Sequence, residues 1–373
     1  MRIAISGGGT GGHVYPALAV AEALKLQVAS CKFLYVGGKG GVEEELVGRE
    51  GLPFAAITAG GLRGLPPWTA ALNLAKLAVG FAQSLGLVRR FAPDAVLVTG
   101  GYVCVPVALA ARLSGVPVLV FLPDLEPGLA VRALSRLATR VAVSFPESAG
   151  YFAHDRVVVT GYPVRADFFV ADRAKARRAF GLEEDARTVT VFGGSHGARS
   201  INLALCGVLD RLLAACQVIH ICGHLDADWV MKRREELPER LRARYRVYPY
   251  LHGGMADALA AADLVVARAG AATLGEFPAL GLPSILVPYP YAGRHQELNA
   301  DYLVGRGAAV KIADEELGEK LLPAILELLD DEEALAGMGE RARALARPDA
   351  ARRIAEEIEQ MSRSRLSGRE RKA

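Results

Sequence analysis

The chain has 373 residues, of which 51% are hydrophobic and 23% charged, and its 44 basic and 41 acidic side chains leave a net charge of +3. This composition excludes a largely disordered chain. The near balance of charge does not favour a nucleic-acid-binding protein, which normally carries a strong basic excess. Five cysteines without a C-x-x-C pair are typical of a protein in a reducing cytosol. The length predicts two domains.

The chain opens with an apolar strand, a glycine-rich loop and a helix, and the same order returns in its second half. The first set spans residues 2–6, 7–12 and 15–26, and the second spans residues 188–192, 193–197 and 200–213. Short continuous apolar strands that alternate with helices are typical of parallel sheets buried on both faces. We therefore predict an α/β fold with two Rossmann-like, doubly wound parallel-sheet domains.

The domain boundary is predicted at the Gly/Pro turn Thr160-Gly161-Tyr162-Pro163. The predicted segments are an N-terminal domain (1–162), a C-terminal domain (163–345), a helix that packs back on the first domain (346–362) and a disordered basic tail (363–373).

The first glycine loop and the histidine after it form the first candidate site. A loop between a strand and a helix directs unpaired N–H groups toward a phosphate. This loop matches neither G-x-G-x-x-G nor a P-loop, and no acid closes the second predicted strand, so NAD binding is disfavoured. His13 follows the loop at the carboxyl edge of the first strand, where a neutral imidazole can accept a proton from a substrate hydroxyl. The alternative is a histidine whose hydrogen bonds are satisfied at a helix end.

The second half carries a set of residues suited to a nucleotide sugar. Ser195, in the second glycine loop, can donate to a diphosphate, and Arg165 can add a planar charged fork. Glu276 can accept the hydroxyls of a ribose, or it can serve only as a first-turn partner of the helix dipole. His295, Gln296 and Asn299 can bind sugar hydroxyls, with a solvated loop as the alternative.

Two patterns raise the question of a metal site. Asp226-Ala227-Asp228 resembles the D-x-D motif of one glycosyltransferase fold, and His220, Cys222 and His224 alternate along one predicted strand face. We interpret the first as the start of a helix and the second as an ordinary strand end. No metal site is predicted.

Five motifs occur in an order that resembles one bacterial family. They are Gly8-Gly9-Thr10-Gly11-Gly12-His13, Thr99-Gly100-Gly101-Tyr102, Gly193-Gly194-Ser195-x-Gly197-Ala198-Arg199, Arg268-x-Gly270-Ala271-x-Thr273-x-x-Glu276 and Arg294-His295-Gln296-x-x-Asn299-Ala300. Over nearly its whole length the chain is similar to the MurG family, which adds N-acetylglucosamine to lipid-linked muramyl-pentapeptide.

The resemblance implies a fold, a reaction and a location. The fold is GT-B, with two Rossmann-like domains that face a cleft. The reaction is inverting transfer of N-acetylglucosamine from UDP-GlcNAc to the C4 hydroxyl of undecaprenyl-diphosphate-muramyl-pentapeptide (lipid I to lipid II) in peptidoglycan synthesis. No cofactor is required and a divalent metal is not essential. The enzyme would lie peripherally on the anionic cytoplasmic face of the cell membrane, with no nucleic-acid partner.

The resemblance also implies roles for individual residues. His13 is the base, and the acceptor diphosphate lies on Thr10, Gly11 and Gly12, near Tyr102. Leu251 meets uracil, Glu276 the ribose and Gln296 the sugar. The full implied donor set is Arg165, Ser195, Leu251, Ala271, Ala272, Thr273, Leu274, Gly275, Glu276, Gln296, Asp124, Thr10, Gly11 and Gly12.

The chain departs from the family pattern at three places. Asp124 stands where the family has an asparagine that contacts the donor, so the resemblance does not extend to the exact sugar selectivity. His196 replaces a common glutamine, and Val105-Pro106-Val107 replaces a more glycine-rich stretch.

Two apolar stretches bear on membrane contact. Residues 95–111 carry no charge, but their glycines and proline favour a buried strand, loop and helix over a membrane span, and no transmembrane segment is predicted. Residues 66–87 are expected to form an interfacial helix, with a core helix as the alternative. Its predicted apolar face and basic anchors are Trp68, Leu72, Leu77, Phe81, Leu85, Arg89 and Arg90.

Three other functions remain open from the sequence. One is a GT-B glycosyltransferase that acts on a different lipid, and another is a UDP-GlcNAc 2-epimerase, which shares the twin-domain fold. The third is a membrane-docking protein that has lost catalysis. The chain keeps together the implied catalytic base and the residues implied to bind the diphosphate and the sugar. This disfavours the non-catalytic membrane-docking protein.

Overall fold

The computed structural model describes residues 1–61, 67–194, 197–251, 253–291 and 294–370. The chain divides into two compact units, the first formed by Met1–Arg165 with Arg347–Ala373 and the second by Ala166–Ala346. Each unit holds one parallel sheet between helices. This arrangement confirms the predicted α/β class with two Rossmann-like domains.

The first unit is built on a seven-stranded parallel sheet with strand order β3-β2-β1-β4-β5-β6-β7. The strands are β1 (Arg2–Ser6), β2 (Lys32–Gly38), β3 (Phe54–Ile57), β4 (Ala95–Val98), β5 (Val118–Leu122), β6 (Arg140–Val143) and β7 (Val157–Val159). Its helices are α1 (Gly11–Gln27), α2 (Val42–Arg49), α3 (Pro67–Phe91), α4 (Cys104–Leu113), α5 (Leu129–Ser135) and, at the end of the chain, α16 (Ala350–Glu370). Short 3-10 helices cover Pro146–Tyr151 and His154–Arg156.

The second unit has a six-stranded parallel sheet with strand order β10-β9-β8-β11-β12-β13. The strands are β8 (Thr188–Phe192), β9 (Gln217–Ile221), β10 (Tyr245–Tyr248), β11 (Leu264–Ala267), β12 (Ser284–Leu286) and β13 (Ala309–Lys311). The helices are α6 (Asp167–Val170), α7 (Arg173–Ala179), α8 (Arg199–Ala215), α9 (Ala227–Glu235), α10 (Glu239–Arg242), α11 (Met255–Ala260), α12 (Thr273–Leu280), α13 (His295–Val304), α14 (Leu317–Asp330) and α15 (Glu332–Ala344), with a 3-10 turn at Asp314–Glu316.

Both sheets are buried on their two faces, which explains why their strands are continuous apolar runs. All four residues of β4 and all four of β11 are inaccessible to solvent. The uncharged stretch at residues 95–111 forms β4, a loop and most of α4, as predicted. No helix within the described ranges combines the length and the apolar character needed to cross a membrane.

The last helix extends further than the sequence analysis expected. It continues beyond residue 362 to Glu370, so the prediction of a disordered tail from residue 363 is wrong over this stretch. Arg363 pairs with Glu359 one turn earlier, and Arg365 donates a hydrogen bond to the Pro93 carbonyl. These contacts and the packing of α16 against α1 and β4 hold the basic segment in the helix.

Candidate functional site

In the first unit, the predicted acceptor residues lie where the strand order of the sheet reverses. Strand β1 lies between β2 and β4. The chain adds β2 and β3 on one side of β1 and then adds β4 to β7 on the other side. The loops after two such strands diverge and leave a crevice at their carboxyl ends, which is where open α/β sheets bind ligands. The loop at residues 7–10 follows β1 and leads into the first turn of α1 at Gly11 and Gly12, and residues 99–102 follow β4.

These two loops are in direct contact. The Gly8 N–H donates to the Gly100 carbonyl at 3.2 Å, and the Thr99 hydroxyl donates to the His13 carbonyl at 2.6 Å. Gly101 has φ +88°, and a Cβ there would collide with the Gly8 carbonyl. Only glycine allows this close approach of the two backbones.

The geometry of His13 suits a proton acceptor. Its Nδ1 lies 3.1 Å from the Gly8 carbonyl oxygen and 3.3 Å from the Thr10 hydroxyl. Because a carbonyl oxygen can only accept, Nδ1 carries the proton, and in the neutral ring the lone pair is on Nε2. A Cβ on Gly100 would lie 2.8 Å from Nε2, so the glycine leaves this edge of the ring uncovered.

The start of α1 retains free backbone donors. Thr10 is the N-cap residue of α1 and makes no side-chain cap, and no acceptor in the described chain is recorded for the N–H groups of Thr10, Gly11 and Gly12. The Gly9 N–H, in contrast, is bound by Glu43. Tyr102 is 39% exposed and packs its ring over Gly61. The loop therefore offers an anion three consecutive amides beside His13.

Besides Thr10, Gly11 and Gly12, two more residues of the implied donor set lie in the first unit. Arg165 was placed in the C-terminal domain by the sequence analysis, but the structure groups it with the first unit. Its guanidinium lies over the ring of Tyr15, 5.0 Å from the ring centroid, two residues beyond His13 along α1. Asp124 is half-buried, two residues after β5. Both therefore belong to the unit that carries His13.

The second unit repeats the arrangement at its own point of reversal, between β8 and β11. The second glycine loop follows β8. Gly194 there has φ +91°, and Gly197 packs so closely on the Cys222 carbonyl that a Cβ would collide with it. Ser195 and His196 lie outside the described residues, so the role of Ser195 stays a prediction.

The loop after β11 leads into α12 and carries the predicted diphosphate and ribose residues. The Thr273 hydroxyl donates to the Gly270 carbonyl at 2.7 Å, and the Asn299 amide donates to the Ala269 carbonyl at 3.0 Å. These bonds fix the entry to the helix. Within this segment the buried residues are Ala271, Thr273, Leu274 and Gly275, and the half-buried ones are Ala272 and Glu276. Of the implied donor residues here, Glu276 carries the carboxylate, whose two oxygens can accept both hydroxyls of a ribose.

Two other implied donor residues, Gln296 and Leu251, lie outside the loop that follows β11. The Gln296 side-chain oxygen accepts the Tyr289 N–H at 2.9 Å, which orients its amide NH₂ as the remaining donor. Leu251 is half-buried and packs against a small apolar cluster beside β9 and α11. Gln296 follows β12 and Leu251 follows β10, so both lie at the carboxyl edge of the sheet with the β8 and β11 loops.

Arg268 is a supporting residue to which the sequence analysis gave no role. Its buried guanidinium donates to the carbonyls of Val287 and Pro288 at 3.2 and 3.3 Å and to the Ser200 hydroxyl at 2.8 Å. It also pairs with Asp314 at 2.5 Å. One side chain thereby ties the ends of β11 and β12 to the first turn of α8.

A second buried network lies beneath the glycine loop of the second unit. His220 contacts the Tyr245 hydroxyl through Nδ1 at 2.6 Å and the Asn202 oxygen through Nε2 at 2.9 Å. Asn202 in turn donates to the Cys222 carbonyl and to Asp226, both at 2.8 Å. Both ring nitrogens are therefore engaged by protein groups, in agreement with the interpretation as a strand end. Asp226 is the N-cap residue of α9, as the interpretation of this motif as a helix start requires.

The residues predicted to form the membrane-contacting face of α3 do not all lie on the same side of the helix. Trp68 and Leu72 are 71% and 63% exposed, but Leu77 is half-buried and Phe81 packs against the core of the first unit. Five residues separate Leu72 from Leu77, which turns the helix by about 140° from one side to the other. Leu77, Phe81 and Leu85, which also packs against this core, are therefore corrected to the core side. Val79 joins the exposed side with 51% exposure.

Comparison with known proteins identifies the family. Residues 3–143 match the N-terminal domain of glycosyltransferase family 28, and residues 188–354 match its C-terminal domain. A relative from Roseiflexus sp. (strain RS-1) is named UDP-N-acetylglucosamine--N-acetylmuramyl-(pentapeptide) pyrophosphoryl-undecaprenol N-acetylglucosamine transferase. It is 46% identical, covering 95% of this chain and 94% of its own.

Solved structures share the fold. The structure of MurG from Acinetobacter baumannii is 28% identical, with a TM-score of 0.72, and covers 96% of this chain and 99% of its own. UDP-GlcNAc 2-epimerase from Neisseria meningitidis is 14% identical with a TM-score of 0.70 over 96% of this chain and 100% of its own, a likeness of fold alone. The chain therefore belongs to the MurG family of hexosyltransferases, within glycosyltransferase family 28.

Proposed function

We propose that this protein transfers N-acetylglucosamine from UDP-GlcNAc, with inversion, to the C4 hydroxyl of undecaprenyl-diphosphate-muramyl-pentapeptide. The observation that carries the proposal is the loop after β1, where three free amides lie next to a histidine whose Nε2 holds the lone pair. That combination suits an acceptor with both a phosphate and a reacting hydroxyl. The names of its relatives specify the same two substrates.

In the first unit, the acceptor diphosphate would bind to the N–H groups of Thr10, Gly11 and Gly12. Nε2 of His13 would take the proton of the C4 hydroxyl as its oxygen attacks the anomeric carbon of the donor sugar. The bond between that carbon and the UDP oxygen breaks, and UDP leaves with the electron pair. Attack from the side opposite to UDP inverts the anomeric carbon.

The second unit would hold the donor. Uracil would lie near Leu251, the ribose hydroxyls on the Glu276 carboxylate and the sugar on the Gln296 amide. The start of α12, with Ser195, would face the diphosphate. The positive end of the α12 dipole would offset the charge that develops on UDP, so we propose that neither a divalent metal nor another cofactor is essential.

The test is transfer of labelled N-acetylglucosamine to a soluble lipid I analogue in the presence of EDTA. The controls are UDP-glucose as the donor, and UDP-GlcNAc without acceptor, which detects an epimerase as a mannosamine product. His13→Gln should lower kcat by about 10²- to 10⁴-fold, because a general base is lost. Its UDP affinity, measured by calorimetry, should stay near that of the wild type. Undiminished kcat in this variant would refute the role of His13, and absence of disaccharide would refute the reaction.

We further propose that the protein binds peripherally to the cytoplasmic face of the cell membrane, where it serves cell-wall synthesis during growth and division. Trp68, Leu72 and Val79 lie on one exposed side of α3, and Arg89 and Arg90 end the same helix. An exposed aromatic and aliphatic side with basic anchors is suited to the interface of an anionic bilayer.

Flotation with phosphatidylglycerol vesicles tests this surface. We expect Trp68→Glu and Leu72→Glu to weaken binding at least several-fold, because a charge must then enter the apolar boundary. The matched control is Leu26→Glu on α1, since Leu26 is 83% exposed but lies outside α3. If Trp68→Glu floats as well as Leu26→Glu, α3 is not the membrane contact.

A further inference from the structure

Glu43 is a buried carboxylate beside the loop that carries His13. It lies in the first turn of α2, which has three consecutive glutamates, Glu43, Glu44 and Glu45. Glu44 and Glu45 are exposed, whereas Glu43 is 2% exposed. Burial of a charged group is costly unless hydrogen bonds compensate it, so its partners define what it does.

Both carboxylate oxygens of Glu43 accept backbone N–H groups from two different loops. Oε1 accepts the Gly38 N–H at 2.8 Å, at the end of β2, and Oε2 accepts the Gly9 N–H at 3.3 Å, in the loop after β1. The side chain thereby joins the carboxyl ends of neighbouring strands. Its charge also makes these hydrogen bonds stronger than those of a neutral acceptor.

Glycines make room for this carboxylate on several sides. A Cβ at Gly41 would lie 2.6 Å from Oε1, and one at Gly37 would lie 2.6 Å from the Glu43 Cγ. At Gly8, a Cβ would collide with Oε1 directly. The glycine-rich character of this part of the chain therefore serves a buried glutamate as well as any bound phosphate.

The contact with Gly8 connects Glu43 to the histidine. Glu43 packs on the Gly8 Cα and holds the N–H of Gly9, the residue that follows. The Gly8 carbonyl belongs to the same peptide group as the Gly9 N–H. Its oxygen accepts the Nδ1 proton of His13. The orientation of that carbonyl decides which nitrogen of His13 carries the proton.

We infer that Glu43 is a positioning residue, which fixes the Gly8 carbonyl and thereby keeps His13 in the Nδ1–H form with Nε2 available to accept a proton. This inference rests on the proposed role of His13 as the base. Glu43 does not touch a substrate in this scheme. It acts through the loop alone.

Imidazole ¹⁵N NMR tests the inference without any substrate. In the wild type, the His13 signals, assigned by their absence in His13→Gln, should show a protonated Nδ1 and an unprotonated Nε2. Glu43→Gln keeps the size of the side chain but turns an NH₂ toward one of the two N–H groups. We therefore expect its His13 signals to shift toward the Nε2–H form. Glu44→Gln, one residue further along the same turn, should leave them unchanged.

Kinetics supply the second readout. Glu43→Gln should lower kcat by roughly 10- to 100-fold, since small displacements of a catalytic group have effects of this size. The KM for UDP-GlcNAc should stay within about twofold of the wild type, because the proposed donor residues in the second unit are unaltered. Glu43→Asp keeps both oxygens but is one methylene shorter, so its kcat should lie between those of the wild type and Glu43→Gln. A merely structural role would instead lower stability without changing the tautomer of the folded protein.

The outcomes separate the inference from the proposed function. An Nε2–H tautomer in the wild type overturns the inference, as does a folded Glu43→Gln that keeps the wild-type tautomer, whatever its kcat. If Glu43→Gln does not fold, the wild type and Glu43→Asp still decide it. Absence of transfer in the wild type refutes the proposed function but leaves the NMR result standing.

Discussion

At the scale of single residues, His220 shows how a buried network constrains the protein. The ring is inaccessible to solvent, and burial lowers its pKa from 6.5 to about 3. The folded protein therefore keeps this histidine neutral at a pH where the unfolded chain protonates it. Its two hydrogen bonds, to Tyr245 and Asn202, suit the neutral ring.

This difference predicts a pH dependence of stability. Between pH 6.5 and about 3 the unfolded chain binds one more proton at His220 than the folded protein does, so stability falls as the pH is lowered. The loss from this one group should approach about 1.4 kcal/mol per pH unit in the middle of that window. Urea unfolding from pH 7 to pH 4 measures the slope. His220→Gln should flatten it relative to the exposed His224→Gln, and equal slopes in the two variants would contradict the expectation.

A residue whose type and position are chemically distinctive can be singled out from the sequence, whereas a role that depends on the folded surroundings cannot. His13 stood out because a histidine directly after a glycine loop is chemically distinctive. Glu43 did not, since three successive glutamates are typical of a solvated helix face, and nothing in their order tells which one turns inward. The only available signal was the glycines before them, which leave space for a side chain as well as for a ligand.

At the scale of elements, the strands were predictable and the sides of the helices were less so. The expected bounds of the first strand in each half coincide with β1 (Arg2–Ser6) and β8 (Thr188–Phe192). A strand buried on both faces is a short apolar run with sharp ends, so its limits can be read directly. The side of α3 that faces the core depends on the phase of the helix, and one interval of five residues was enough to mislead the prediction.

The C-terminal helix gives a prediction of its own. A chain that ends after Met361 loses the buried Ser362 and the hydrogen bond from Arg365 to Pro93. We expect this to lower the stability of the first unit by about 2 kcal/mol, as for loss of a charged hydrogen bond with some packing. Calorimetry would compare the unfolding temperature of this shortened chain with that of a chain that ends after Ser367, which retains both contacts. Equal unfolding temperatures would show that residues 362–367 do not stabilise this unit.

At the scale of the whole molecule, the two units should respond separately to ligands. The proposed donor residues other than Arg165, Asp124 and the loop at residues 10–12 lie in the second unit, Ala166–Ala346. UDP alone at about 100 times its Kd should stabilise the state it binds by about 2.7 kcal/mol.

Hydrogen exchange locates this effect. Protection should concentrate in residues 270–276 and in the loop after β8, because the proposed diphosphate would contact these segments. Residues 8–13 should exchange as in the free protein until an acceptor analogue is added. Protection of residues 8–13 by UDP alone would assign the first glycine loop to the donor instead.

The division into units was visible in the repeated strand-loop-helix order, but the fine placement of Arg165 was not. A boundary at a Gly/Pro turn is a local signal, whereas Arg165 contacts the ring of Tyr15, which lies 150 positions earlier in the sequence. Contacts over such separations leave no pattern near either residue.

The first unit is discontinuous, because the chain crosses the whole of the second unit before Arg347–Ala373 completes the first. During synthesis on the ribosome, residues 1–165 therefore emerge without the helix that covers α1 and β4. The second unit is one continuous segment and has all its contacts available as soon as residue 346 has emerged. The unit that holds His13 is thus the last to be finished, and a nascent chain released early would carry a complete second unit beside a first unit that lacks its closing helix.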